Sequence, residues 1–311
     1  MSEEKRVVVT GGTGFIGHHL INVLKKQGYT VLNIDIRDTT NPIDIRNLSL
    51  LSKTIESFKP EIIFHLAAVA SVPEAEKNPH EAYTTNVIGT LNVVKIARKL
   101  NSKLIFASSS AVYGNPTKIP TSEEHPLAPV NHYGITKLTG EHIIMHELSN
   151  FVILRLFNVY GPECLRSYVI TDTLARAIVY RHKNVIKMLG TGMEERDFVY
   201  IDDVIEAFMK AIEYDDEVKI FNIGSGKSTK ISDLVKLIGR IMKKRFKIVF
   251  TGHRKGDFLI NCADIRKAQL YLKWSPKVTL NEGLKKTYNW LSHLLKTKGE
   301  DTIRRLYIVD I

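Results

Sequence analysis

Cysteine is scarce in this chain: only Cys164 and Cys262 occur, too few for a disulfide framework. The first residues, Met1-Ser2-Glu3-Glu4-Lys5, lack the apolar stretch of a secretory leader, so the expectation is a reducing, cytoplasmic setting. No stretch of about eighteen uncharged apolar residues occurs, which argues against a membrane partner. Internal repeats and low-complexity segments are missing, which argues against solenoids and disorder. Glutamine occurs twice while asparagine occurs 17 times, and this mixture leaves a thermophilic origin open. What is present is ordinary for a globular protein: 311 residues, 44% hydrophobic and 25% charged, about two domains' worth of chain. Forty-four Lys plus Arg against 33 Asp plus Glu leave a net charge of +11. Such a charge suits nucleic acid, an anionic membrane surface or a phosphorylated small molecule, and cannot choose among them.

Hydrophobic periodicity changes repeatedly between the two regular types. The β-branched run Arg6 to Thr10 leads into Gly11-Gly-Thr-Gly14-Phe15-Ile16-Gly17 and then a helical pattern. Strands are predicted at Tyr29 to Asp35, Glu61 to Leu66, Lys103 to Ala107 and Phe151 to Leu156. Helices are predicted around Leu48 to Phe58, His80 to Leu100 and His132 to Leu148. Alternation of this kind, with apolar strands, predicts an α/β fold with a doubly wound parallel sheet of the Rossmann type. Regularity loosens at Gly161-Pro162. Residues 1–160 are therefore expected to form the dinucleotide-binding domain, with a return segment near 195–215, and residues 161–311 mainly a smaller α/β substrate-binding cap. The end of the chain, Leu306-Tyr-Ile-Val309, reads as an extra strand, a peripheral strap or a surface for a partner subunit.

In Gly11-x-x-Gly14-x-x-Gly17 the glycines permit a tight turn, a close approach of backbone to a pyrophosphate, and close packing of helix on strand. The helix N-terminus adds amide donors. Asp35 ends the second strand at roughly the expected twenty-residue distance. A carboxylate there accepts hydrogen bonds from ribose hydroxyls and repels a 2′-phosphate, so NAD is favoured over NADP, with the nearby Arg37 as the counter-argument.

Tyr133 and Lys137 stand four residues apart, on one face of a predicted helix. A neighbouring ammonium stabilises a phenolate and lowers its pKa from about 10, which suits a general base for a sugar hydroxyl. Ser108, Ser109 and Ser110 follow the strand Lys103 to Ala107, at the carboxyl end where open α/β sheets bind ligands.

These motifs, with Asp44-Ile45, His65-Leu-Ala67-Ala68, Asn86-Val-Ile-Gly-Thr90, Arg155-Leu-Phe-Asn158-Val-Tyr-Gly-Pro162, Arg196-Asp-Phe-Val-Tyr-Ile-Asp-Asp203, Phe221-Asn-Ile-Gly224 and Arg254-Lys-Gly-Asp257, make the chain resemble the extended short-chain dehydrogenases/reductases. Within them it is most similar to the NAD-dependent epimerases/dehydratases of the UDP-glucose 4-epimerase type. The resemblance spans nearly the whole chain. It implies cofactor contacts from Gly11, Gly14, Phe15, Ile16, Gly17, Asp35, Asp44, Ile45, Ala67, Ala68, Asn86, Tyr133 and Lys137. It implies catalytic roles for Ser109, Tyr133 and Lys137, and contacts to a nucleotide-sugar substrate from Ser109, Ser110, Asn158, Arg196, Arg254 and Asp257. No metal is implied. A homodimer packed through the helices at His80 to Leu100 and His132 to Leu148 is also implied.

Related dehydratases carry an Asp-Glu pair where this chain has Ser110 and Ala111, and the decarboxylases keep the Glu. Water elimination needs an acid and a base, so 4-epimerisation is the expected reaction. A nucleotide-sugar reductase remains an alternative, as do 4-epimerases of UDP-N-acetylglucosamine or UDP-glucuronate. The basic run Lys243-Lys-Arg-Phe-Lys247 is read as a solvated helix end opposing the helix dipole rather than a nucleic-acid surface.

Overall fold

A computed structural model of the protein describes residues 5–165, 168–180, 185–252 and 259–307. The first five strands, β1 (Arg6–Thr10), β2 (Thr30–Ile34), β3 (Ile62–His65), β4 (Lys103–Ser109) and β5 (Phe151–Leu156), alternate with helices α1 (Phe15–Lys26), α2 (Leu48–Phe58), α3 (Val72–Lys77), α4 (Pro79–Tyr83), α5 (Thr90–Leu100) and α6 (His132–Glu147). Strands buried on both faces read as continuous apolar runs, and Val7, Val8, Ile63, Phe64, Leu104 and Ile105 are all essentially inaccessible.

Beyond β5 come β6 (Asn158–Tyr160), α7 (Val169–Val179), β7 (Val185–Leu189), β8 (Glu195–Tyr200), α8 (Ile201–Glu213) and β9 (Ile220–Ile223). The chain continues with β10 (Ser228–Lys230), α9 (Ile231–Ile241), β11 (Lys247–Thr251), α10 (Arg266–Leu270), α11 (Leu280–Lys298) and α12 (Glu300–Tyr307).

The central sheet has the order β2-β1-β3-β4-β5-β9 and is parallel throughout. The doubly wound α/β architecture expected from the alternation is thus observed. Helix α8 packs on α1 and delivers the chain to β9, which pairs with β5. Two smaller sheets, β10-β8-β6 and β11-β7, form from strands that follow β5. Because β2 and β3 flank β1 on opposite sides, the connections diverge there, and a crevice opens at the carboxyl ends of β1 and β3.

Two elements depart from expectation. The helix anticipated at His80 to Leu100 is present without a gap, but its middle changes type, α4 passing into a π-helical turn over Thr84–Gly89 and then α5. That turn sends Asn86 into the interior, where its amide holds the backbone of Val69. Of the tail segment, Leu306 and Tyr307 are helical rather than extended, whereas Ile308 and Val309 lie outside the described residues. Ile303 and Tyr307, four residues apart, are both fully buried against α7 and α11. Arg304 pairs with Glu300 on the outside, so the segment has a helical rather than a two-residue period.

Candidate active site

The crevice is built by close backbone approach. Gly11 has φ +76°, and a Cβ there would lie 2.6 Å from the Ala67 nitrogen, so only glycine lets the turn after β1 meet the loop after β3. At the start of α1, Gly14 is the N-cap residue with no side-chain cap and no acidic residue in the first turn. Amides are thereby left facing the position an anion takes at a helix N-terminus. Phe15 and Ile16 open the same helix. Asp35, 6% exposed, accepts from the backbone N–H of Thr13 at 3.1 Å and of Arg37 at 2.8 Å, which ties the end of β2 to the glycine turn. The cradle fits a dinucleotide.

A buried relay braces this crevice from beneath. Thr90 Oγ1 donates to the Asn86 carbonyl at 2.6 Å and lies 2.9 Å from His65 Nε2, which assigns the ring proton to Nε2. His65 Nδ1 then accepts from Thr10 Oγ1 at 2.8 Å, and Thr10 Oγ1 accepts from the N–H groups of Leu66 and Ala67. Burial, reinforced by the charge on Lys137, pulls the imidazole down to about 3 and keeps it neutral. Asn86 completes the brace, donating to the Val69 carbonyl and to Thr136 on α6 while accepting from the Val69 N–H. With both amide hydrogens committed inside the fold, Asn86 acts on the crevice by shaping the loop that contains the half-buried Ala67 and Ala68.

In the segment between β2 and α2, Asp44 is gripped by Arg46, which also reaches Glu81 at 2.8 Å. Hydrogen bonds from Arg46 hold the Asp44 carboxyl below the usual carboxylate range. Ile45 is 3% exposed and packs where a side chain on Gly89 would stand.

Tyr133 and Lys137 lie on α6, whose N-cap Asn131 accepts from the Gly134 N–H at 2.8 Å. Lys137 is buried, donates to the Ala107 carbonyl at 2.8 Å and rests 4.8 Å from the Phe106 ring centre. Burial draws its ammonium down to about 8, with Glu141 opposing the change. Strand β4 runs two residues further than expected, so Ser108 and Ser109 are strand residues and Ser110 begins a 3₁₀ turn. Ser108 is buried like the rest of β4 and Ser109, at its end, is half-exposed, its Oγ accepting from the Ala111 N–H. Ser110 accepts from the amide of Asn261 at 3.0 Å.

On the cap side, Asn158 donates to the Asp197 carbonyl at 3.0 Å. Buried Arg196 sends Nη1 to the carbonyls of Glu195 and Leu259. Arg254 and Asp257 lie outside the described residues. Sequence reasoning missed Asn261, Glu141 and the role of Arg155. Glu141 left a signal, since it follows Lys137 by four residues and so shares its buried face, and Arg155 opens the motif that ends at Pro162 without any hint of its partner.

A family model described as "NAD dependent epimerase/dehydratase family" matches residues 7–224. The chain belongs to that family. As a member of the NAD-dependent epimerases/dehydratases it is similar to the UDP-glucose 4-epimerase of Thermotoga maritima, solved with UDP-glucose, at 32% identity and a TM-score of 0.86 over 93% of this chain and 99% of that one. It is similar to the UDP-glucuronate 4-epimerase of Thermodesulfobacterium geofontis at 31% identity over 91% of this chain and 95% of that protein. The UDP-glucuronic acid 4-epimerase of Bacillus cereus, solved with UDP-glucuronic acid and NAD, aligns with a TM-score of 0.84 at 30% identity, covering 93% and 99% of the two chains. Members of both substrate types therefore resemble this one to a similar degree.

Proposed function

We propose that this protein is an NAD-dependent 4-epimerase of a UDP-linked hexose, of the UDP-glucose/UDP-galactose type. The observation that carries the reading is the end of β4: Ser109-Ser110-Ala111 supplies no carboxylate, and Glu141, bonded to the neighbouring Ser108, is committed to Arg155. Without an acid/base pair there, water elimination lacks its proton carriers, whereas reversible oxidation at C4 needs one base.

In this reading Tyr133, as phenolate, accepts the proton of the sugar 4-hydroxyl. Lys137 holds the nicotinamide ribose and favours the phenolate, and Ser109 hydrogen-bonds the 4-oxygen. NAD, when bound, takes up and returns the C4 hydride. The 4-keto sugar turns over within the site before Tyr133 returns its proton. The glycine turn seats the pyrophosphate and Asp35 accepts from the adenosine ribose. Asn158, Arg196, Arg254 and Asp257 hold the substrate's diphosphate and sugar. The protein acts as a homodimer through α5 and α6, a reading supported by exposed Ile135 and Met145 on α6.

The deciding experiment uses UDP-galactose deuterated at C4. The expected product is UDP-glucose that keeps deuterium at C4 without added NADH. Label at C6 would indicate a dehydratase, and stoichiometric NADH a net oxidoreductase. The similarity to UDP-glucuronate 4-epimerases supports a second sugar reading, so UDP-glucose, UDP-glucuronate and UDP-N-acetylglucosamine are compared by NMR of the products.

A further inference from the structure

Directly behind Lys137 lies a buried ion pair that the proposed reaction does not use. Glu141 is one helical turn from Lys137 on α6, and the two side chains dock on consecutive residues of β4. Lys137 donates to the carbonyl of Ala107 at 2.8 Å, while Glu141 Oε1 accepts from the hydroxyl of Ser108. On the next strand, β5, Arg155 stands opposite Ser108 in register. Its Nη2 donates to Glu141 Oε2 at 2.7 Å and its Nε to Oε1 at 3.0 Å. Arg155 and Glu141 side chains are 2% and 0% exposed. The guanidinium is further held by the Tyr113 hydroxyl at 2.9 Å and the Glu123 carbonyl at 3.2 Å. Tyr113 in turn donates to Asn222 on β9 at 2.7 Å.

An ion pair this deep is poor economy for stability alone, because desolvating both charges offsets most of their attraction. It is well placed to act on a third charge. Two cations, Lys137 and Arg155, flank one anion, Glu141, in a region shielded from solvent, where charges interact strongly over a helical turn. We propose that Glu141 and Arg155 are positioning residues that set the charge state of Lys137, Glu141 favouring the ammonium and Arg155 limiting how far that favour extends. The proposal rests on the reading of Lys137 as the cation that activates Tyr133. Among the described residues, the other titratable groups facing Lys137 are Tyr133 on its own helix and His65 on β3, and His65 stays neutral through the working range.

The test follows Lys137 by NMR of the full-length protein as purified, carrying lysine labelled with ¹³C at Cε, the signal being identified by its loss in Lys137→Met. In Glu141→Gln the titration midpoint should fall, and in Arg155→Met it should rise, each by about one pH unit or more. Arg155→Lys, which keeps the charge, should titrate close to the parent. The double variant Glu141→Gln/Arg155→Met removes both charges together, and its midpoint should lie below that of Arg155→Met. That comparison isolates the Glu141 charge even if Glu141→Gln alone does not fold, since a neutral pair is better tolerated than a broken one, and an equal or higher midpoint in the double variant overturns the proposal. A packing role would move both single variants in the same direction or leave the midpoint in place, and either result overturns the proposal. The C4-deuterium experiment judges the reaction separately, so opposite midpoint shifts without label retention would retain the charge coupling and reject the 4-epimerase reading.

Discussion

The carboxylate of Asp35, at the end of β2, accepts the backbone N–H of Thr13 from the glycine turn at 3.1 Å. One side chain thus joins the end of β2 to the glycine turn, the two segments proposed to flank an adenosine ribose. Asp35→Ala is expected to weaken NAD binding and narrow the preference for NAD over NADP, with Arg37, ion-paired at 3.6 Å, left to attract a 2′-phosphate. Calorimetric titration with both dinucleotides checks this. Equal affinity of the parent protein for the two would contradict the ribose role.

Gly11→Ala should abolish dinucleotide binding while sparing most of the sheet. The new methyl group meets the Ala67 backbone at 2.6 Å and the residue sits at φ +76°, so both strain and collision act at the crevice. Loss of NAD retention with a preserved far-UV spectrum is the expected outcome.

Tyr133→Phe should leave folding intact and lower kcat by about 10² to 10⁴-fold, the range for removal of a general base. The ring still packs on α6, and only the proton acceptor is gone. A variant within a few-fold of the parent would assign the base elsewhere.

His65 predicts acid sensitivity with a definite sign. Its folded value is about 3 against an ordinary 6.5, so between those limits the unfolded chain binds a proton that the folded chain does not. Its contribution is fully present above pH 6.5 and is lost as pH falls toward 3, by up to about 1.4 kcal/mol per pH unit. Urea midpoints should therefore drop between pH 7 and pH 5. His65→Gln should be less stable at pH 7 and show a flatter dependence over this window, and an unchanged slope would remove His65 as the cause.

The parts of this protein that depend on local spacing are legible in its sequence. Strand, glycine turn and helix at residues 6–26, the carboxylate at Asp35, and Tyr133 one turn from Lys137 all follow from periods of two or 3.6 residues and from the steric freedom of glycine. Alternation of such segments is enough to specify a parallel doubly wound sheet, because right-handed crossovers leave few other ways to bury both faces. Tertiary structure alone brought Asn261 to Ser110, 151 positions apart, and Arg155 to Glu141, 14 positions apart on a neighbouring element. Neither contact has a period or a motif, and a buried Arg has the same letter as a solvated one. The π-helical turn was equally hidden, since Asn86 turns inward to meet Val69 and Thr136, partners supplied by β3's loop and by α6. Sequence by itself determined which groups are available for chemistry. The packing of β4, β5 and α6 decided which of their charges lie beyond the reach of water, and there a charge must find a partner within the fold.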